Sequence, residues 1–250
     1  VNPFSGLLLA LSFLTRLVPG RAARAEQFGA TLPWFPVVGA VLGALLAGPF
    51  ALGLLPRSPW IAAWLVLLGN LWLTRGLHWD GWADLSDAWG SRATGDRFWQ
   101  ILKDSRTGAF GSMGLFAGMS GQLLLLHHCL GWGLYPAVGY SFVFGRCLAV
   151  GLMALNRNLS RPGLGSAFLA GATPLRLGTA TALTLGLGLW AMPSPSLAAA
   201  LLLGILGLSE LSVLARRHGG LNGDFLGCAI VWGELSVLLG MVLTSGVLGF

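Results

Sequence analysis

Residues 177–215 read LGTATALTLGLGLWAMPSPSLAAALLLGILGLSELSVLA, two apolar runs parted by Pro193, Ser194 and Pro195 and carrying one charge, Glu210. A helix rises ~1.5 Å per residue, so a run of about 20 residues matches a hydrocarbon core ~30 Å thick. In lipid the backbone must satisfy its own hydrogen bonds, which makes helix the form such runs take. Outward from this pair, comparable stretches lie at 34–56, 60–79, 109–130, 135–155 and 227–249. The expectation is an all-α polytopic membrane helix bundle of about seven spans, one integral membrane domain over residues 1–250. The segment 4–17 is too short to span and has no basic stretch ahead of it. It is expected as an interfacial or re-entrant helix rather than a cleavable leader. Rows of small residues, Gly39, Gly43 and Gly48 or Gly114, Gly118 and Gly121, suit close approach of membrane helices.

Composition supports lipid as the main solvent. Hydrophobic residues make up 55% and charged residues 10%, with a mean hydropathy of +0.75, whereas soluble domains carry roughly a quarter of their residues charged. The net charge of +6 does not point to nucleic acid, because the basic residues sit between apolar runs and no basic segment carries a base-stacking platform. Cys129, Cys147 and Cys228 form no C-x-x-C pair and read as small packing residues.

With seven spans, the segments 18–33, 80–108, 156–176 and 216–226 fall on one side. That side and its flanks hold Arg16, Arg21, Arg24, Arg75, Arg92, Arg97, Lys103, Arg106, Arg157, Arg161, Arg176, Arg216 and Arg217, against Arg57 alone on the other. The positive-inside rule makes the basic side cytoplasmic.

The acidic residues are gathered on that side. Of nine Asp and Glu, five lie between positions 80 and 104: Asp80, Asp84, Asp87, Asp96 and Asp104. Asp80, Asp84 and Asp87 share one helix face at i, i+4, i+7. Three carboxylates on one face repel unless a hard cation such as Mg²⁺ neutralises them, and Mg²⁺ arrives with substrate phosphates. Gly81 and Ala83 leave room for a phosphate to approach. The alternative is a solvated loop balanced by nearby cations.

The run Lys103-Asp104-Ser105-Arg106-Thr107-Gly108, followed by Gly111, suits polyphosphate, with cations to bind oxygens and glycines to admit them. Gly219-Gly220-Leu221-Asn222-Gly223-Asp224 is either a phosphate-binding turn or a simple helix cap. His78 is placed to act as acid or base, or to be an interface residue. Arg146 lies inside a span and needs a buried partner, a phosphate or a carboxylate such as Glu210 or Glu234.

Together these segments resemble the cobalamin synthase family, adenosylcobinamide-GDP ribazoletransferase. The resemblance rests on Gly76-Leu77-His78-Trp79-Asp80-Gly81-Trp82-Ala83-Asp84-Leu85-Ser86-Asp87, on Lys103–Gly111 and on Gly219–Gly227. Phe13–Arg16 and Arg161-Pro162-Gly163-Leu164-Gly165 also look familial, so nearly the whole chain is covered. Departures are Ala88-Trp89-Gly90 after the third Asp and Asn222 where Thr is usual. The resemblance implies a Mg²⁺-dependent phosphotransferase that joins adenosylcobinamide-GDP to α-ribazole or its 5′-phosphate and releases GMP. It implies Asp80, Asp84, Asp104 and Asp224 as metal ligands, and Asp87 or His78 as base. Lys103, Ser105, Arg106, Arg146, Gly219, Gly220 and Asn222 would bind substrate. The implied setting is a bacterial inner membrane with the site facing the cytoplasm.

Two rivals share the composition. CDP-alcohol phosphotransferases also carry an Asp-rich interfacial helix, but with D-G-x-x-A-R spacing; here Asp84 follows Ala83. A cation or metabolite transporter would place its ionisable groups near the membrane midplane, whereas these acids sit at span ends.

Overall fold

The computed structural model describes residues 3–21, 24–159, 161, 166–168 and 171–248, and among them the ordered elements are helical. Helix α1 (Pro3–Leu14) leads through the short α2 (Ala25–Phe28) and a 3-10 turn (Gly29–Trp34) into α3 (Phe35–Ala51). There follow α4 (Pro59–Thr74), α5 (Leu77–Gly90), α6 (Asp96–Leu102), α7 (Ala109–Gly131) and α8 (Tyr135–Leu155). The chain closes with α9 (Pro174–Ala191), α10 (Ser194–Arg217) and α11 (Gly223–Leu248). Of the familial Arg161–Gly165 stretch, residues 162–165 lie outside the described residues.

Among the described residues, five helices are long and apolar enough to cross a membrane: Gly29–Ala51, α7, α8, α10 and Gly223–Gly246. Helices α4 and α5 pass the same test only as a pair, and they are bent by 91°. The expected seven is therefore five or six by this measure. The difference lies at α4, 16 residues long, and at α9, whose 18 residues are diluted by Thr and Gly. The expected span 60–79 does not run straight: Arg75 (φ 58) and Gly76 (φ 70) are both left-handed and turn the chain between α4 and α5. The two runs around Pro193 pack mainly on different neighbours. Helix α9 packs on α8 and the 3-10 turn, while α10 packs on α11.

Helix α8 is the axis of the bundle, with both faces covered by α3 and α11. Glycine permits each close approach. A Cβ at Gly39 or Gly43 would strike the α8 backbone at Phe142 or Gly139, and one at Gly233 would lie 2.6 Å from Gly145 Cα. Without a hydrophobic force between helices in lipid, such backbone proximity is what lets dispersion hold them. Gly48 and Gly121, grouped with these rows by spacing, face open space.

Candidate active site

The segment 80–108, expected as a loop, is largely helical. Helix α5 crosses the start of α11, where a Cβ at Gly81 would sit 2.8 Å from Asp224 Cα and one at Gly227 would sit 3.1 Å from the His78 carbonyl. This crossing brings Asp224, in the first turn of α11, to the Asp80–Asp84 face of α5. Both Asp80 and Asp224 occupy first turns, where the helix dipole favours negative charge. The Asp84 carboxyl is pushed up to about 7, first by burial and then by the charges of Asp80, Asp224 and Asp87. Like charges so placed favour the binding of a cation, which would lower that carboxyl again. Asn222 Nδ2 donates to Asp224 Oδ2 at 2.7 Å, so Asn222 orients this carboxylate.

Asp87 is engaged differently from the base expected of it. Its Oδ2 accepts from Gly108 N at 2.6 Å and its Oδ1 from Gly111 N at 2.8 Å. These N–H groups belong to the open N-terminus of α7, whose N-cap Gly108 has no side chain to satisfy them. Asp87 thus caps α7 from a neighbouring helix, each of its oxygens accepting one backbone N–H. The glycines make this possible, since a Cβ at Gly108 would come 2.5 Å from Asp87 Oδ1 and one at Gly111 would strike Oδ2.

His78, the other expected base, points away from the carboxylates into the bundle. It is 3% exposed and its Nδ1 stands 3.4 Å from Arg146 Nη2. Arg146 is fully buried and ion-paired to Glu234. Glu234 Oε2 also accepts from Asn70 Nδ2 at 3.1 Å and Gln122 Nε2 at 2.8 Å. The carboxylate proposed by spacing as a partner of Arg146 is thus Glu234, and Glu210 is exposed on α10. Arg146, expected as a phosphate partner, is therefore paired with Glu234 inside the bundle and set apart from the Asp face of α5. Spacing did not single out Asn70 and Gln122. The available signal was a primary amide within an apolar run.

Asp104 stands apart from the cluster. It accepts from Arg106 Nε at 3.0 Å and Nη2 at 2.8 Å, and this pairing holds its carboxyl down at about 2. The pair is solvent-facing, with Lys103, Ser105 and Thr107 beside it on an exposed turn. The glycine turn also divides. Gly219 (φ 62) terminates α10 and is exposed, whereas Gly220 is buried between Arg161 and Trp99. Trp99 Nε1 donates to the His218 carbonyl at 3.0 Å, so α6 props the turn from below. Of the tryptophans on α5, Trp79 is buried against Gly118, Trp82 Nε1 bonds the Gly114 carbonyl at 2.9 Å, and Trp89 is exposed.

Among the described residues, no three His, Cys, Asp or Glu side chains close around one metal position. Asp80, Asp84 and Asp224 are near enough to feel one another's charge, and their donors are hard oxygens. That chemistry fits Mg²⁺, which keeps waters and takes its other ligands from phosphate.

The profile of the family described as Cobalamin-5-phosphate synthase matches residues 6–242. A relative from Nitratidesulfovibrio vulgaris, named adenosylcobinamide-GDP ribazoletransferase, is 48% identical over 237 residues, 95% of this chain and 94% of its own. Relatives of the same name from Chlorobium chlorochromatii and Brevibacillus brevis are 37% and 34% identical, covering 98% and 95% of this chain and 99% and 98% of their own. No solved structure matches the chain significantly. With a helical membrane bundle, the Asp-bearing helix and a family profile spanning almost its whole length, the chain belongs to the cobalamin-5-phosphate synthase family.

Proposed function

We infer that this chain is an adenosylcobinamide-GDP ribazoletransferase, which joins adenosylcobinamide-GDP to α-ribazole or its 5′-phosphate and releases GMP. The observation that carries the reading is the like-charge cluster of Asp80, Asp84 and Asp224, built by two helices at one edge of a membrane bundle. In the reaction a ribose hydroxyl oxygen attacks the phosphorus linked to cobinamide. The bond from that phosphorus to the GMP oxygen breaks, and GMP carries away the electron pair. Asp80 and Asp224 would hold Mg²⁺, which when bound would neutralise the diphosphate and the leaving phosphate. Asp84 takes the hydroxyl proton: it shares the acidic face of α5 with Asp80, and burial with the neighbouring carboxylates raises it to about 7, where a general base exchanges near neutral pH. Asp87 fixes the Gly108–Gly111 backbone, and with it the exposed Lys103–Thr107 turn that presents cations to phosphate.

The site faces the cytoplasm of a bacterial inner membrane on this reading. The support is the gathering of Arg75, Arg92, Arg97, Lys103, Arg106, Arg216 and Arg217 around the same span ends as the Asp cluster. Turnover of the lipid-reconstituted protein with adenosylcobinamide-GDP, α-ribazole 5′-phosphate and Mg²⁺ tests the activity by GMP release. Product from the wild type and none from Asp80→Ala supports the reading. Full activity of Asp80→Ala defeats the site, and no product from the folded wild type with either acceptor defeats the function.

A further inference from the structure

Of the cavities that flank α5, the two of greatest volume differ in what they reach. One, of about 820 Å³, touches Ser86, Arg92 and Arg217 but none of Asp80, Asp84 or Asp224. The other, of about 790 Å³, lies between α1, the α4–α5 bend and α7, and Asp80 lines it. Its walls divide by chemistry. Phe13, Leu115 and Met119 make an apolar part, while Asp80, Thr107 and Arg21 make a polar one. A second guanidinium at the wall, that of Arg75, is committed: its Nη2 donates to the Ser12 and Phe13 carbonyls at 3.1 and 3.0 Å. Among the described residues Arg21 makes no ion pair.

We propose that this cavity is the acceptor site, taking a flat apolar heteroaromatic base with its ribose, and that Arg21 selects for a 5′-phosphate on that ribose. The proposal rests on the transferase reading above. Size and polarity choose the occupant. A nucleoside or nucleotide suits a pocket of a few hundred cubic ångströms lined mainly by apolar groups with few polar ones. An adenosylated corrinoid, several-fold larger and fringed with amides, does not. With the base against Phe13, Leu115 and Met119, the ribose lies toward Asp80, the one carboxylate of the cluster on this wall, and its hydroxyl points to the acidic face of α5 on which Asp84 follows one turn later. Arg21 is then the cation left to form a charge-assisted contact with phosphate.

The test is steady-state kinetics of the full chain in proteoliposomes with each acceptor. In Arg21→Gln the KM ratio of α-ribazole 5′-phosphate to α-ribazole is expected to rise about tenfold, the worth of one charge-assisted bond at ~1.4 kcal/mol. Leu115→Trp, which fills the apolar part, is expected to raise KM for both acceptors while that for adenosylcobinamide-GDP holds. An unchanged acceptor ratio in Arg21→Gln, or a Leu115→Trp effect confined to adenosylcobinamide-GDP, overturns the assignment and leaves the transferase reading standing. A wild type that turns over neither acceptor overturns the transferase reading and this one with it.

Discussion

Asp87 shows how far residue type and spacing carry an argument. Its place at i+7 from Asp80 put it on the acidic face, yet both of its oxygens are taken by backbone N–H groups of α7. The hint in the sequence was a long helix beginning at Gly108 with no capping side chain of its own. Removing the clamp from either end should cost the same thing. Asp87→Asn and Gly111→Ala are each expected to lower kcat/KM at least about tenfold, charge-assisted bonds being worth ~1.5–3 kcal/mol. The double variant should fall little further, a non-additivity that a double-mutant cycle reads directly. Asp84 carries the pH dependence. Its carboxyl stands at about 7, raised above the ordinary value, so the proton-accepting form is lost as pH falls through that region. The kcat profile should show an acid limb near 7 at low Mg²⁺. Saturating Mg²⁺ should move the limb lower, because a cation at Asp80 and Asp224 favours the charged form. A limb that ignores Mg²⁺ would place the cation elsewhere.

At the scale of elements, the bend between α4 and α5 does what no span-counting rule foresees. Apolar residues continue through 60–79, so hydropathy joins them, while two consecutive left-handed residues part them. Turned by 91°, α5 lays its acidic face across the start of α11 instead of continuing along α4. Gly76 is the hinge of this geometry, and left-handed backbone costs a branched residue about 1–2 kcal/mol. Gly76→Val should lower the melting temperature in detergent and reduce turnover. By contrast Gly48→Ala, in α3 with nothing within 4 Å of its added Cβ, should leave both unchanged or raise stability slightly. Equal losses in the two would mean that the bend has no special part in the site.

At the scale of the whole molecule, one buried polar network joins the helices that carry the site. Asn70 on α4, His78 on α5, Gln122 on α7, Arg146 on α8 and Glu234 on α11 converge inside the bundle. Breaking a buried pair by removing one partner costs ~3–5 kcal/mol, chiefly from the stranded charge. Glu234→Ala or Arg146→Ala should therefore unfold at markedly lower temperature, and Arg146→Gln with Glu234→Gln should recover much of the loss. Orientation is a second global property. A cysteine replacing exposed Ser91 should react with a membrane-impermeant maleimide only after cells are opened, and labelling of intact cells would reverse the assigned topology. By itself the sequence determined the solvent, the helical class, the acidic segment and the family, because mean hydropathy, charge clustering and motif order are properties of the chain read along its length. Only the tertiary structure decided which carboxylates meet, that Asp87 caps α7, that Arg146 answers Glu234, and that Asp104 stands aside with Arg106. Apart from the Asp104–Arg106 pair, which is local, those outcomes depend on one bend and on glycine crossings that bring together residues far apart in the chain, and local spacing holds no record of them.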